Sequence, residues 1–408
     1  MSELLGIREL RKKLESKKPR VDLRYRYYDM KNSVMDLGIS TPDELRGFNS
    51  VLGWCSKAVD RLADRISFRE FKDDNFSINE IFNLNNADIL FDNAIKSALI
   101  SSCSFVYISK DESGYPRLQV IDGANATGII DPITYLLKEG YAVLERDRND
   151  RPVMEAYFEP FRTTIYYKNK APEAYDHNVG YPLLVPVINR PDAKRPFGRS
   201  RITRACMSYM QSAARTIKRS EISAEFYSFP QKWVVGTDPS AERMEKWKAS
   251  ISTLIEISAS DEGNEPRLGQ FTQQSMQPHN EQLKMFASLF AGETGLTLDD
   301  LGFVTDNPSS AEAIAAAHEN LRLEARKAQK VFGSCFLNVG FLAACLRDNY
   351  NYTREMMFLT KPKYEPVFEP SNSTLSLIGD AAIKINQAVP GYFNEENLRD
   401  LTGIEGGS

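Results

Sequence analysis

The feature that most constrains this chain is an apolar stripe that repeats every three or four residues from Ala311 to Leu346. This spacing puts the side chains on one face of a helix, and no proline follows Pro308 until Pro362. At a rise of 1.5 Å per residue, a helix of ~38 residues is roughly 55–60 Å long. The rest of the fold must therefore be built around one very long helix. The stripe begins with Ala311, Ile314, His318, Leu321, Ala325, Ala328 and Phe332.

The start of this helix carries the signature of a capping box. Ser309 precedes Glu312 by three residues, so each side chain can bond a free amide of the first turn. Gly333 and Gly340 lie off the stripe, and we expect the helix to bend there. The small residues on the stripe favour close packing among several neighbours over a two-stranded coiled coil.

Composition excludes several classes of protein. The chain has 408 residues, of which 42% are hydrophobic, enough for two or three packing units. Five cysteines without CxxC spacing indicate buried, reduced thiols. The N-terminus does not resemble a signal peptide, and no apolar stretch is predicted to cross a membrane. The net charge of −4 argues against a nucleic-acid binder that uses its whole surface, although a local basic stripe stays open.

The order of patterns predicts an α+β fold that is predominantly helical. Helical periodicity covers most of the first hundred residues, and period-two alternation follows over residues 104–190. A basic helix begins near residue 199, and no acid occurs from 193 to 220. A small α/β insertion, a second helix, a loop and the long helix follow. The basic set consists of Arg199, Arg201, Arg204, Arg215, Lys218 and Arg219.

No pattern of catalytic residues is found in the sequence. The stretch "GANATGII" has the glycine spacing of a phosphate loop but lacks the lysine that follows it. The three histidines are isolated, and the adjacent Asp299 and Asp300 would point apart on a helix. We therefore predict no enzyme, no metal and no cofactor. The alternatives are a metal-dependent nuclease that uses helix 199–219 with this acidic pair, and a scaffold module without DNA contact.

Three stretches resemble the portal proteins of tailed double-stranded DNA bacteriophages of the siphovirus type, in the branch that infects Gram-positive hosts. "PFGRSRITRA" is similar to the entry into that family's first stem helix. "GFVTDNPSSAEAIAAAHENLRLEARKAQKVF" resembles its tunnel loop and long kinked helix. "IGDAAIKINQAVPGYFNEENLRDLTGI" resembles its crown helices.

The resemblance implies the portal fold, with wing, stem, clip and crown regions. It places an N-terminal α+β wing at 1–198, the first stem helix at 199–228, the clip at 229–277 and the second stem helix at 278–299. The tunnel loop would be 300–310, the long wing helix 311–348, and a wing strand with a short crown 349–408.

The resemblance also implies a structural role. The subunits would form a ring, typically dodecameric, at one capsid vertex of the virion, after assembly in the host cytoplasm. Double-stranded DNA would pass through the channel, without sequence specificity, during packaging and ejection. The large terminase would dock on the clip and head-completion or adaptor proteins would replace it; capsid and scaffolding proteins are further partners, and no membrane is involved.

Residue roles follow from the same resemblance. We expect Asp299, Asp300, Thr305, Asp306, Asn307 and Ser309 at the channel and Lys284 as a sparse DNA-phosphate contact. Lys232, Trp233, Lys246 and Trp247 would belong to the docking surface of the clip, and the stripe of the long helix would lie between subunits. The basic set has three open placements, namely the channel, acids of a neighbouring subunit, or solvent. The last two are favoured, because a channel must not hold DNA through many phosphate contacts.

Overall fold

The chain folds into two units of mixed helix and strand. In this computed structural model, the residues described are 4–34, 47, 50–228, 232–235, 267–270, 275–303, 314 and 316–404. The first unit comprises residues 1–32, 53–206 and 293–408, and the second comprises 33–52 and 207–292. The expectation of an α+β fold is confirmed at this level. The helices are α1 (Ile7–Tyr28), α2 (Trp54–Ala63), α3 (Ile78–Asn83), α4 (Ala87–Ser101), α5 (Arg204–Ser228), α6 (Gln277–Thr294), α7 (Glu319–Arg347), α8 (Asn372–Ala388) and α9 (Glu395–Thr402).

The strands form small antiparallel sheets. Most of them fall within residues 104–190, as the period-two alternation predicted. The strand orders are β4–β5–β6–β7–β8, β3–β2–β9, β1–β12 and β10–β11. The strands are β1 (Phe68–Lys72), β2 (Cys103–Lys110), β3 (Pro116–Ile121), β4 (Ala126–Ile130), β5 (Leu137–Arg146), β6 (Pro152–Glu159), β7 (Arg162–Tyr167), β8 (Lys170–Asp176), β9 (Leu184–Ile188), β10 (Lys232–Val235), β11 (Arg267–Gln270) and β12 (Lys361–Tyr364).

Helix α1 packs on the five-stranded sheet through both apolar and charged residues. Leu10 and Leu14 are buried in one cluster with aromatic residues of the sheet. The Arg11 guanidinium donates two hydrogen bonds to the Glu155 carboxylate, at 3.1 and 2.6 Å. The buried carboxylate of Glu139 accepts the backbone amides before the helix, at 2.8 and 3.1 Å. Helix α1 is therefore fixed to the sheet by buried apolar contacts and by hydrogen bonds to two carboxylates.

Helix α7 is the central element of the first unit. From Phe332 to Leu346 nearly every side chain is buried, because the helix packs against β9, β12 and α3. The Phe336 ring meets the Phe91 ring edge-on, with 4.5 Å between centroids, and Phe82 stacks on Phe91 at 4.9 Å. This aromatic cluster fixes α7 against the helices that precede the sheets.

By length and composition, α7 could also cross a membrane. However, 72% of its most apolar window is buried inside the chain. A lipid-facing helix would expose those side chains, so burial identifies α7 as a core helix.

The two glycines of α7 are contact points, and the helix is continuous through both. A Cβ added to Gly340 would lie 2.4 Å from Cγ2 of Ile78, and one added to Gly333 would lie 2.5 Å from Cγ of Pro362. Their missing side chains admit α3 and β12, and the bends expected at these residues stay a prediction. The helix is interrupted at His318, which adopts a turn and precedes Glu319. The predicted capping box, Ser309 with Glu312, lies outside the described residues.

The C-terminal helices differ in how they are held. Helix α8 is mostly exposed, with only Ala382 buried, whereas α9 is tied to β1 and β12 by ion pairs. Arg69 of β1 donates to Asp400 of α9 at 2.7 Å, and Lys363 of β12 also pairs with Asp400. Burial alone would raise the pKa of Asp400, but the hydrogen bonds from Lys363 and Arg69 outweigh it and lower that pKa.

The second unit contains most of α5 and α6. Their apolar sides bury small residues, including Ala213, Ala214 and Ala287. The Thr216 hydroxyl hydrogen-bonds the Gln282 side chain at 3.0 Å and joins the two helices. Strands β10 and β11 pair antiparallel.

We predict that Gly340→Ala destabilises the first unit, because the new methyl group overlaps Ile78. Overpacking of this kind costs about 1–3 kcal/mol. The matched control is Gly379→Ala in α8, where an added Cβ meets nothing within 4 Å and should stabilise the helix by roughly 0.5–1 kcal/mol. Chemical unfolding monitored by circular dichroism measures both. Equal effects of the two substitutions would contradict the assignment of Gly340 as a contact point.

We predict that acid releases α9 from the first unit. Because the pKa of Asp400 is lowered in the folded chain, its contribution to stability is complete above the unfolded value of about 3.9. It is lost as the pH falls below that value towards the folded pKa. Amide exchange of α9 should therefore accelerate in this range, and Asp400→Asn should show the fast exchange already at pH 7. Glu395→Gln, on the same helix, should leave the profile unchanged.

Candidate functional site: the Arg201 joint

A single buried guanidinium joins four segments of the first unit. Arg201 is 3% exposed. Its Nε donates to the carbonyl of Ala58 at 2.5 Å, and one terminal nitrogen donates to the carbonyl of Thr294 at 2.6 Å. The other terminal nitrogen donates to Oε2 of Glu324, also at 2.5 Å. We call these four residues the Arg201 joint.

The joint lies where three helices begin or end. Arg201 precedes α5, Thr294 is the last residue of α6, and Glu324 belongs to the first turns of α7. The last carbonyls of a helix lack partners within it and carry partial negative charge, so a guanidinium stabilises them. Arginine suits this place because its planar group presents several donors in fixed directions. The joint thus fixes the ends of the paired helices against the long helix.

Local contacts hold Arg201 in position. Its backbone amide donates to the carbonyl of Leu99 at 2.8 Å, and the hydroxyl of Ser200 donates to Ile100 at 2.6 Å. The next polar residue, Thr203, hydrogen-bonds Glu293 at 2.9 Å. The segment before α5 is therefore attached to the end of α4 and to the end of α6.

A second polar cluster surrounds Asp300, the first residue of the predicted tunnel loop. Its carboxylate accepts the amide and the hydroxyl of Thr297, both at 2.9 Å. Nε of Arg61 lies 3.8 Å away and Nδ1 of His318 lies 3.9 Å away. Asp299, by contrast, is exposed. Among the described residues there is no group of three or more side chains suited to a metal, and Asp300 faces cations and a threonine.

The other predicted site residues are distributed as follows. Lys284 is exposed on α6, and Lys232 and Trp233 lie in β10. Seven predicted residues lie outside the described part of the chain, and their roles stay predictions; they are Lys246, Trp247, Thr305, Asp306, Asn307, Ser309 and Ala311.

The stripe of the long helix is largely used inside the chain. Leu321, Ala325 and Phe332 are at most 2% exposed, and Ala328 is half-buried. The predicted role between subunits is therefore wrong for Leu321, Ala325 and Phe332, because these three side chains already pack within their own subunit. Ile314 is exposed, and the His318 ring lies 5.9 Å from that of Phe368.

Members of the basic set find acids within the chain, which sequence reasoning missed. Arg199 pairs with Asp192 at 2.7 Å and Arg201 with Glu324, while Lys218 is only 2% exposed. Arg204 is exposed. Asp192 lies just before the acid-free stretch, so its pairing with Arg199 could have been predicted. Nothing in the sequence indicates that Glu324 pairs with Arg201.

A groove runs beside α7 next to the Arg201 joint. It consists of two cavities of about 520 and 590 Å³ that share Pro191 and Val331 in their lining. The first is also lined by Leu62, Arg190, Lys327 and Lys330. The second is lined mainly by apolar and aromatic residues, including Ile133, Tyr181 and Phe341.

All five cysteines are buried and free, as predicted: Cys55, Cys103, Cys206, Cys335 and Cys345. Burial raises the pKa of the Cys55 and Cys335 thiols. These two thiols are thus kept protonated and unreactive.

The chain is similar to known proteins along nearly its whole length. It is 24% identical over 394 residues to the portal protein of Mycobacterium phage L5, covering 91% of this chain and 80% of that protein. It is 23% identical over 397 residues to the portal protein of Mycobacterium phage D29, covering 92% and 81%. No family model matches the chain. The resemblance to phage portal proteins is thus confirmed, and the nuclease alternative has no support.

Solved structures to which the chain is weakly similar come from gene transfer agent particles. A chain of the virion of the native particle is 12% identical, with a TM-score of 0.47. A chain of the neck of the empty particle is 13% identical, with a TM-score of 0.48. Each match covers 86% of this chain and 90% of the other.

We predict that Glu324→Gln destabilises the first unit strongly. The substitution leaves the Arg201 charge buried without its counter-ion, and breaking a buried pair costs about 3–5 kcal/mol. Asp192→Asn is the matched control, because it removes the acid of the exposed Arg199 pair and should change little. Thermal unfolding gives the difference, and amide exchange should locate it at the ends of α5 and α6. Similar midpoints of thermal unfolding for Glu324→Gln and Asp192→Asn would show that the Arg201 joint does not stabilise the first unit.

Proposed function

We propose that this chain is the structural portal subunit of a tailed bacteriophage. In this proposal, copies of the chain form a ring-shaped channel, typically of twelve subunits, at one capsid vertex of the virion. The observation that carries the proposal is the similarity to two phage portal proteins over more than nine-tenths of the chain. The mixture of helices and strands among the described residues further supports it.

The paired helices α5 and α6 would be the stem. Strands β10 and β11, which lie between them in sequence, would belong to the clip, where the large terminase and later the head-completion proteins dock. The sheets and α7 would form the wing, and α8 with α9 a short crown. The Arg201 joint then has a mechanical role. It connects the residue before α5 and the last residue of α6 to α7, so that a force on these ends of the stem helices is transmitted to α7.

The segment from Asp299 to Ser310 would face the channel. Its first residues are held by the contacts of Asp300 with Thr297 and Arg61, which gives the loop a fixed origin. Lys284 is exposed on α6 and would be a sparse contact for phosphates. A channel with few cations lets DNA slide, because each phosphate that is neutralised adds affinity. The basic set supports this arrangement, since Arg199 and Arg201 are paired within the chain.

The partners in this proposal are double-stranded DNA, bound without sequence specificity, and proteins of the particle. These are the large terminase, head-completion or adaptor proteins, and the major capsid and scaffolding proteins. Assembly would take place in the host cytoplasm, with no cofactor and no catalytic step in the chain itself.

We predict that replacing residues 304–308 by a glycine–serine linker blocks DNA packaging but leaves rings in place. The anchoring contacts of Asp300 remain, so the fold should be kept while the loop loses its side chains. Particles from producing cells would be imaged by electron microscopy for rings at a vertex and tested for nuclease-protected DNA. The matched control replaces residues 111–115, in the turn between β2 and β3, by the same linker.

Two results would contradict this assignment. If wild-type particles carry no ring of this chain, the chain is not the portal subunit. If the loop variant packages DNA normally, the ring is a scaffold and residues 304–308 have no role in moving DNA.

A further inference from the structure

The groove beside α7 has a basic rim and an apolar floor. Lys327, Lys330 and Arg190 are exposed at the rim. Within the part of the chain that the structure describes, the side chains of Lys327 and Lys330 form no ion pair. Glu324 is already held by Arg201 at 2.5 Å, with Arg190 at 3.6 Å. The rim therefore carries uncompensated positive charge, and the floor contains Leu62, Pro191, Ala328 and Val331.

A surface of complementary character lies where α3 meets α4. Leu84 and Ile89 are 54% and 65% exposed, which is unusual for large apolar side chains. Asp88 and Asp92 flank them and are exposed as well. Among the described residues, the only ion-pair partner of Asp92 is Lys96 of its own helix, at 2.9 Å. We call Leu84, Asp88, Ile89 and Asp92 the acidic corner.

We propose that the acidic corner of one copy docks into the groove beside α7 of the next copy. This inference rests on the proposed ring. A closed ring is built from head-to-tail contacts, in which two different patches of the same chain must fit each other. The corner offers apolar side chains between acids, and the groove offers an apolar floor below cations. Opposite charges across an interface select the partner and fix the register.

Other occupants fit the groove less well. Helix α8 also exposes apolar residues, Leu377 and Ile383, but its charges include both Asp380 and Lys384, so it does not complement a basic rim. Nucleic acid would suit the cations but would leave the apolar floor without a partner. The acidic corner offers negative charge to the basic rim and apolar side chains to the floor.

The test uses two variants that should fail alone and succeed together. The groove variant is Lys327→Glu with Lys330→Glu, and the corner variant is Asp88→Lys with Asp92→Lys. In each variant, the groove and the acidic corner carry charge of the same sign and repel each other at every interface. Rings of that variant alone should therefore be lost. When both variants are produced in the same cells, every groove can meet a corner of opposite charge if the copies alternate. Rings should then return, and they should also return in the chain that carries all four substitutions.

The matched control is Lys138→Glu with Lys170→Glu, which makes the same change of charge on exposed residues of the five-stranded sheet. These particles should contain rings at the wild-type frequency. Rings would be counted by electron microscopy of particles from producing cells, and circular dichroism of each purified variant would confirm folding.

The remaining outcomes separate this inference from the proposed function. If wild-type particles have rings and the groove variant has them too, the docking is refuted and the portal role stands. If each variant fails alone and the mixture also fails, the two patches do not meet. A groove variant that forms normal rings but is left out of capsids would show that another particle protein occupies the groove. Absence of rings in wild-type particles refutes the proposed function itself.

Discussion

The buried guanidinium of Arg201 is the interaction on which the arrangement of the first unit depends. It compensates the final carbonyl of α6, a carbonyl of α2 and a carboxylate of α7 with one side chain. A buried charge of this kind tolerates little displacement, because each lost contact leaves a polar group without water or a partner. The ends of the paired helices and the beginning of the long helix are therefore held in one geometry. Lysine could not replace it, since a single ammonium does not present donors in three fixed directions.

The long helix divides its surface between two tasks. Its buried side packs against strands and helices of its own chain, with glycines at the places where Ile78 and Pro362 come closest. Its exposed side carries the cations of the groove. A helix that was lined by apolar residues all round would lack the exposed charge on which the proposed docking depends.

The sequence allowed much of this fold to be predicted, because the helical stripe and the period-two segment are local patterns. It also allowed the similarity to portal proteins to be recognised from three short stretches. The partner of Arg201 could not be predicted, since Glu324 lies 123 residues away and no local pattern in either stretch indicates that the two residues meet. The same holds for Gly340, whose role depends on Ile78. The stripe was identified correctly as a packing surface, but periodicity does not tell whether the neighbour is the same chain or another copy.

The composition of the Arg201 joint has a consequence for how the chain is made. Its members come from positions 58, 201, 294 and 324, so the contacts that set the base of α5 span well over a hundred residues. During synthesis, the residues of α5 and α6 are joined to the chain before Glu324. Contacts between distant residues form slowly, because long loops must close first. Until α7 has emerged, the nascent chain thus carries the Arg201 cation without its carboxylate partner, and the first unit completes its core after most of the chain has been translated.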